Sequence, residues 1–235
     1  MENSAIITLK QISKVFKSGS NEFTALHDID LSFKAGEFAG FVGPSGSGKT
    51  TLLNIIGSLD RQTEGHAFVT GQEIEHLSAR QSAELRNYHI GFIFQTYNLL
   101  PVYNVHENVE FPLLLQNRSS SDRKKAVIEA LEWVGLTDKA KSKPAQLSGG
   151  ECQRVAIARA IVKKPDIVLA DELSANLDAK NTHHIMQTIK KINQELKTTF
   201  IFATHDEKVM QYLDRIIHLM DGTVEKDEII QHSER

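Results

Sequence analysis

The chain alternates short apolar runs with stretches of helical periodicity, which is typical of a mixed α/β protein. Five apolar runs have the length of buried strands, and they cover residues 37–42, 66–70, 90–94, 167–170 and 199–203. Helical patterns fall between and beyond them, at residues 51–56, 78–88, 104–112, 126–134, 148–162 and from 178 onward. The pattern predicts the α/β class, with core strands separated by helices.

Each end of the chain adds a pair of strands joined by a turn. Residues 5–10 and 24–33 are predicted strands, with a turn at 18–21, and the apolar alternation of the second strand slips once between Leu26 and Ile29. The N-terminal pair predicts an antiparallel β subdomain.

The C-terminal pair lies at residues 215–220 and 223–225. It flanks Asp221-Gly222, a dipeptide that favours a two-residue hairpin turn. The charged tail, residues 226–235, is expected to be frayed or helical.

The character of the chain changes after the strand at 90–94. The segment Tyr97–Tyr103 is an apolar, aromatic loop, and Asn104 and Glu107 then have the spacing of a helix N-cap. The helix that follows should end or kink at Pro112, and Gly135 should stop the next one. An exposed aromatic loop favours a partner surface, whereas the alternative is a hydrophobic staple under the loop.

These boundaries predict one domain over residues 1–235 with an insertion. Residues of about 5–95 and 160–225 form the core and the β subdomain, and residues of about 96–159 form a helical subdomain. Residues 226–235 are the charged tail.

The composition fits a globular protein and gives no support for a nucleic-acid-binding, disulfide-stabilised or membrane-spanning chain. An apolar content of 40% and a charged content of 24% suit a globular core, and a net charge of −3 gives no electrostatic reason to expect nucleic acid or an anionic membrane surface. The single cysteine, Cys152, allows no internal disulfide and fits a reducing compartment. No secretory signal and no apolar run of about 18 residues is visible, so any membrane part is expected in another chain.

The segment Gly43–Thr50 reads G-x-x-x-x-G-K-T between a predicted strand and a predicted helix. Its glycines let successive backbone N–H groups converge on a phosphate, and the helix N-terminus adds partial positive charge. Lys49 can reach the β- and γ-phosphates, and the Thr50 hydroxyl can bind Mg²⁺. This pattern predicts nucleotide binding.

Polar residues follow the predicted core strands at three other places. Asp171 and Glu172 follow the strand at 167–170. This position favours Asp171 as a carboxylate for Mg²⁺ and Glu172 as one that polarises an attacking water. The alternative is a pair of surface acids. Gln95 is a candidate for Mg²⁺ or for that water, or an ordinary polar loop residue. His205 could bond the γ-phosphate or be a structural histidine.

Two further positions are ambiguous when taken alone. Ser148, Gly149 and Gly150 open a helix and could bind a second anion, but a simple capped helix explains the same residues. Phe16 could stack on a nucleotide base or be a core aromatic.

Taken together, these residues resemble the ATP-binding-cassette ATPases over about residues 5–225. Gly43–Thr50 is similar to the Walker A motif, Gln95 to the Q-loop, and Leu147–Glu151 to the cassette signature. Asp171-Glu172 is similar to Walker B, Asn176–Asp178 to the D-loop, His205 to the switch histidine, and Phe16 to the A-loop aromatic, usually Tyr. The fold implied is a P-loop NTPase core of RecA type with the β and helical subdomains described above.

The resemblance implies a composite site for ATP and Mg²⁺ between two copies of the cassette. The ATP-binding residues implied are Phe16, Gly43, Ser45, Gly46, Ser47, Gly48, Lys49, Thr50, Thr51, Ser148, Gly149, Gly150 and Asp178. The metal-binding residues implied are Thr50, Gln95 and Asp171, and the catalytic residues implied are Glu172, His205 and Gln95.

A closer similarity is to cassettes of the macrolide-exporter and lipoprotein-releasing type, MacB and LolD. It rests on the segments Leu53–Asp60, Gly91–Pro101, Glu107–Pro112 and Ala175–Asp178. The resemblance implies a homodimeric ATPase at the cytoplasmic face of the membrane. Its permease, a separate chain, would contact the region Tyr97–Tyr103. Three hypotheses stay open: an ATPase that drives export or lipoprotein extraction, one that regulates a cell-envelope process without transport, and a soluble cassette protein of translation or DNA repair. The third usually requires two cassettes in one chain or a long coiled-coil insertion, and the sequence shows neither.

One position departs from that family. Relatives commonly have Pro-Thr after the Walker B acids, whereas this chain has Leu173 and Ser174. Loss of the proline removes a fixed φ, so the rigidity between Glu172 and Asp178 is expected to differ.

Overall fold

The computed structural model describes residues 5–19 and 21–230. The strands are β1 (Ala5–Ser18), β2 (Asn21–Lys34), β3 (Phe38–Val42), β4 (Glu64–Val69), β5 (Gln72–Glu73), β6 (Ile90–Ile93), β7 (Ile167–Asp171), β8 (Thr199–Thr204), β9 (Arg215–Met220) and β10 (Thr223–Ile229). The α-helices are α1 (Lys49–Ile56), α2 (Ala79–His89), α3 (Val105–Leu114), α4 (Ser120–Trp133), α5 (Gly149–Ile161), α6 (Ala179–Leu196) and α7 (Glu207–Met210).

The strands form two sheets. Four of them make an antiparallel sheet in the order β2-β1-β4-β5, and six make a second sheet in the order β10-β9-β3-β8-β7-β6. In the six-stranded sheet only the β9–β10 pair is antiparallel. The predicted α/β fold and the antiparallel subdomain are confirmed.

The long hairpin β1–β2 carries an irregularity where the apolar alternation slips. The register shifts between the pairs Ile12–Ile29 and Lys14–Leu26, and Asp28 has a φ of +47°. The N–H of Asp28 donates to Ser13 Oγ at 3.0 Å instead of joining the regular ladder. The slip in the sequence pattern is therefore a bulge, which lets Leu26 and Ile29 both face the core.

The central strands are buried on both faces, which explains their continuous apolar sequences. All five residues of β3 and all six of β8 are buried, and Phe38 packs against Phe202 with 4.9 Å between ring centroids. Because β3, β6, β7 and β8 are parallel, their carboxyl ends lie along one edge of the sheet. That edge carries the Gly43–Thr50 loop, Gln95, Asp171-Glu172 and His205.

Helices α3, α4 and α5 pack on one another, and they overlap the region predicted as the helical subdomain. The capping box of Asn104 and Glu107 is present, and Gly135 follows α4 with a φ of +65°. Helix α3 runs through Pro112 to Leu114, so the possibility that Pro112 ends it is wrong. Only two residues of the helix follow Pro112, and its missing N–H removes only the bond to the carbonyl oxygen of Asn108.

The aromatic loop that precedes α3 is held by one buried amide. Asn108 is fully buried, and its Oδ1 accepts from the N–H of Leu100 at 2.7 Å. Its Nδ2 lies within hydrogen-bonding distance of the carbonyls of Leu100, Tyr103 and Asn104. The conformation of residues 100–104 therefore depends on this side chain.

The C-terminal hairpin is longer than the sequence pattern indicates. Strand β10 continues to Ile229, so the expectation of a frayed or helical tail is wrong for residues 226–229. The reason is pairing with β9, in which Lys226 lies opposite His218 and Glu228 opposite Ile216. Residues 231–235 lie outside the described part of the chain.

Within residues 5–19 and 21–230, no helix combines the length and the apolar character needed to cross a bilayer.

Asn108→Ala tests the role of the buried amide. The substitution leaves the N–H of Leu100 without its acceptor, and we expect the free energy of unfolding to fall by about 1–3 kcal/mol. Urea denaturation measures this, with Gln187→Ala on the exposed face of α6 as the control. Equal stability of the two variants would contradict the account.

Candidate functional site

The segment Gly43–Thr50 connects the buried strand β3 to helix α1 as a tight loop. A Cβ on Gly43 would lie 2.0 Å from the carbonyl oxygen of Leu219, and one on Gly48 would lie 2.8 Å from the carbonyl oxygen of Ala25. Gly48, with a φ of +99°, is the residue before the helix. Only glycine fits these two positions, which leaves the backbone free to surround an anion.

Lys49 folds back over the loop that precedes it. Its Nζ donates to the carbonyl oxygens of Gly43 and Pro44 at 2.7 and 2.8 Å. Burial lowers the pKa of Lys49, while the nearby Asp171 and Glu172 act in the opposite direction. The buried ammonium thus lies where it can neutralise an anion held by the loop.

The hydroxyl of Thr50 donates to Asp171 Oδ1 at 3.0 Å, across 121 positions of sequence. Burial raises the pKa of Asp171, and the hydrogen bond from Thr50 partly offsets this effect. A hydroxyl and a carboxylate oxygen next to the loop are hard oxygen donors of the kind that Mg²⁺ prefers. The fold therefore brings together two of the residues predicted to bind Mg²⁺.

Glu172 and His205 meet at the ends of adjacent parallel strands. His205 Nδ1 lies 2.8 Å from Glu172 Oε1. Glu172 has a φ of +46°, and its N–H donates to the carbonyl of Ala203 at 2.9 Å. This contact fixes the residue after β7 against β8, and so sets the direction in which the carboxylate leaves the backbone.

A second contact joins the same two segments. Ser174, which is 4% exposed, donates its hydroxyl to Asp206 Oδ2 at 2.7 Å. Leu173, at the position where relatives commonly have proline, is buried in the hydrophobic core. The loop after Glu172 is therefore held by apolar packing and by hydrogen bonds, among them that of Ser174, rather than by a proline ring.

Gln95 lies just beyond β6, the neighbour of β7 in the sheet. Its side chain is exposed, and its backbone carbonyl oxygen accepts a hydrogen bond from Asn176 Nδ2 at 3.2 Å. The fold thus brings Gln95 to the same edge as Asp171, although it does not line the cavity described next.

A cavity of about 380 Å³ opens over the Gly43–Thr50 loop. It is lined by Phe16, Phe23, Ala25, Ser45, Gly46, Gly48, Lys49, Thr50, Thr51 and Glu172. Phe23, which is 62% exposed, was missed by the sequence reasoning. It lies directly opposite Phe16 across the β1–β2 hairpin, and the turn at 18–21 is the signal that could have revealed this pairing.

The predicted signature residues lie elsewhere on the surface. Ser148 is exposed and caps α5, with its N–H donating to Glu151 Oε2 at 2.8 Å. That hydrogen bond is the main reason why the pKa of Glu151 is lowered. Ser148, Gly149 and Gly150 do not line the 380 Å³ cavity of their own chain.

Asp178 lies beside this second helix N-terminus. Its carboxylate accepts from the N–H of Asn181 and so caps α6. A Cβ on Gly150 would lie 2.9 Å from Asn181 Oδ1, so the starts of α5 and α6 approach closely.

A second cavity, of about 440 Å³, lies between α2, β6 and α3 beside the aromatic loop. Apolar side chains dominate its lining, and three cationic residues, Arg86, Arg159 and Lys163, border it. Burial lowers the pKa of Lys163 to about 8. Arg159 donates to the carbonyl oxygens of Tyr97 and Asn98, which ties the aromatic loop to α5.

Comparison with known proteins places these features in a family. The sequence profile of the family described as "ABC transporter" matches residues 26–175. The chain is 44% identical to an uncharacterized ABC transporter ATP-binding protein, MJ0796, of Methanocaldococcus jannaschii, over 95% of this chain and 97% of that protein. It is also 44% identical to the lipoprotein-releasing system ATP-binding protein LolD of Pseudoalteromonas translucida, over 94% and 95% of the two chains.

Solved structures agree with this result. A dimeric structure of MJ0796 in a post-hydrolysis state, bound to ADP and Pi, superposes with a TM-score of 0.89 at 42% identity. The match covers 97% of this chain and 100% of that one. With a phosphate loop on a parallel sheet and Asp171, Glu172 and His205 at its edge, the chain belongs to the ABC transporter family, as an ATP-hydrolysing cassette.

Proposed function

We propose that this chain is the ATPase subunit of a membrane complex of the lipoprotein-releasing type, and that two copies close around two ATP molecules. The observation that carries the proposal is the separation of two anion-binding loops. The Gly43–Thr50 cavity and the Ser148 turn occupy different surfaces of one chain. Relatives named LolD, at 44% identity over nearly the whole chain, support the choice of complex.

In this proposal the Gly43–Thr50 loop holds the phosphates of ATP. Backbone N–H groups from Ser45 to Thr51 surround them, and the ammonium of Lys49 exchanges its loop carbonyls for phosphate oxygens. Phe16 and Phe23 line the outer part of the cavity, where an aromatic pair suits a nucleotide base.

Mg²⁺ fits the oxygen pair of Thr50 and Asp171. Their oxygens are 3.0 Å apart, and both are of the hard type that this ion requires. Gln95, after the neighbouring strand, is the third proposed ligand. When bound, the ion supplies positive charge that offsets the charge of the phosphates.

Glu172 is the proposed general base. Its carboxylate accepts a proton from the water that attacks the γ-phosphorus, the bond to the β–γ bridging oxygen breaks, and ADP leaves with that oxygen. His205 bonds Glu172 Oε1 through Nδ1, which leaves Nε2 of the exposed ring available to the γ-phosphate.

The second copy supplies the remaining contacts. The first N–H groups of α5 have no partner within the helix, and Ser148 adds a hydroxyl donor. Residues Ser148 to Gly150 of one copy would hold the γ-phosphate bound to the other, with Asp178 at the rim. ATP thus favours the closed dimer, and hydrolysis removes the bridge.

The permease is proposed to dock beside Tyr97–Tyr103, which would place the chain at the cytoplasmic face of a membrane. Val102 is 72% exposed, and Phe111, Leu114 and Leu115 are also exposed on the adjoining helix. The neighbouring 440 Å³ cavity is apolar with a cationic border. A helix of the permease with apolar and acidic residues suits this surface.

Glu172→Gln tests the catalytic assignment. An amide cannot accept the proton from water, so we expect kcat for ATP hydrolysis to fall by about 10²–10⁴-fold while ATP binding is retained. A phosphate-release assay and a nucleotide-binding titration measure the two quantities. Lys49→Ala is the control that should lose binding as well, and undiminished turnover in Glu172→Gln would refute Glu172 as the base.

Ser174→Ala tests the contact between the two catalytic segments. A hydrogen bond to a charged group is worth about 1.5–3 kcal/mol, so we expect kcat to fall by roughly tenfold or more. The KM for ATP should change little, and Ser174→Thr, which keeps the hydroxyl, should retain turnover. A loss that Thr does not restore would show that the hydrogen bond is not the cause.

Val102→Glu tests the docking surface. An unpaired charge buried in an interface costs several kcal/mol, so we expect the recovery of permease with the purified cassette to fall roughly tenfold. The ATPase activity of the isolated chain should stay unchanged. Ile229→Glu, at a residue that is 80% exposed on β10, is the matched control. Equal recovery with both variants would remove the aromatic loop from the interface.

A further inference from the structure

Three side chains from the edge of the antiparallel sheet converge on one point away from the nucleotide cavity. His66 lies on β4, Glu73 on β5, and Glu75 on the single helical turn that follows. His66 Nδ1 lies 3.0 Å from Glu73 Oε1 and 2.8 Å from Glu75 Oε1. One imidazole nitrogen thus faces two carboxylate oxygens.

The carboxylate of Glu75 is fixed by partners of its own. Its Oε2 accepts from Gln62 Nε2 at 3.0 Å and from the N–H of Ala67 at 3.3 Å, while Oε1 faces His66. The side chain of Glu75 is only 17% exposed. A carboxylate with one oxygen held by outer partners and the other directed at a common point is the usual arrangement of a metal ligand.

The charges of the cluster distinguish it from an ordinary ion pair. Elsewhere, His89 contacts one carboxylate, that of Asp166, and His218 contacts only that of Glu228. Two carboxylates against one imidazole leave a net negative charge even when the imidazole is protonated. Within residues 5–19 and 21–230, this is the single group of three such side chains close enough to share an ion.

We propose that His66, Glu73 and Glu75 bind a divalent transition-metal ion, with zinc as the best match. Zinc takes imidazole nitrogen and carboxylate oxygen at about 2.0–2.2 Å, in a tetrahedron whose ligand atoms are about 3.3 Å apart. The three ligand atoms lie within 4.8 Å of one another, so shifts of less than the length of a bond would form the site.

A fourth ligand is available nearby. His76 Nε2 lies 3.7 Å from Glu73 Oε2, and its side chain is 74% exposed. Either this imidazole or a water completes the tetrahedron. The ion would join β4 to β5 and the following turn, so it would stabilise the antiparallel subdomain against local unfolding.

Zinc binding to the full chain, produced without a histidine tag, is the test. The chain is stripped of metal and titrated with zinc in the presence of excess Mg²⁺, which keeps the Thr50–Asp171 site from contributing. A chromophoric competitor reports affinity and stoichiometry, thermal unfolding reports stabilisation, and the visible absorption of cobalt(II) reports tetrahedral coordination.

His66→Gln removes the shared nitrogen, and His89→Gln is the matched control because its imidazole contacts a single carboxylate. We expect one zinc ion per chain and a zinc-dependent rise in Tm for the natural chain and for His89→Gln. In His66→Gln, affinity should fall by about tenfold or more, and the rise in Tm should disappear. Nucleotide binding by the variant shows that it is folded.

The proposal is overturned if the natural chain binds no zinc under these conditions. It is equally overturned if His66→Gln binds zinc as the natural chain does, or if both variants lose affinity alike.

Discussion

The functional site depends on the hydrogen bond between Thr50 and Asp171, because it ties the end of the phosphate loop, which follows β3, to the end of β7, two strands away in the same sheet. Thr50 lies in the first turn of helix α1, whereas Asp171 ends strand β7, and the parallel order of β3, β8 and β7 brings their oxygens to 3.0 Å. The same strand order sets Glu172, which follows β7, beside His205, which follows the neighbouring strand β8. The chemistry therefore depends on strand pairing rather than on any local segment.

Burial makes this arrangement sensitive to its ligand. Lys49 and Asp171 both lie where desolvation disfavours their charged forms, and each partly offsets the penalty of the other. A glycine-rich loop of this kind lets backbone N–H groups converge on an anion, so the phosphate loop favours a negatively charged ligand. In the proposed complex the phosphates of ATP supply this charge. Because the Ser148 turn lies outside the cavity of its own chain, its donors can reach the γ-phosphate only from a second copy, which is the physical reason to expect a dimer.

The sequence was sufficient wherever function depends on residues close together along the chain. The Gly43–Thr50 loop and the cap at Asn104 and Glu107 follow from local patterns with a known geometry, and the slip in alternation after Leu26 marks the position of the bulge.

What the sequence could not predict depends on contacts between distant segments. Phe23 joins the cavity only through its register opposite Phe16, and Ser174 meets Asp206 only when β7 and β8 pair. The extension of β10 to Ile229 depends on its pairing with β9, although the segment itself is charged and suggests a free tail.

We propose that the phosphate loop of a single chain is sufficient to bind ATP, but that the site around the γ-phosphate closes only against the Ser148 turn of a second chain. Light scattering on Glu172→Gln with ATP, with and without a further Ser148→Arg substitution, tests it most directly. For the single variant we expect twice the mass of one chain. For the double variant we expect the mass of one chain, with ATP still bound. A double variant that forms the same ATP-dependent dimer would contradict it.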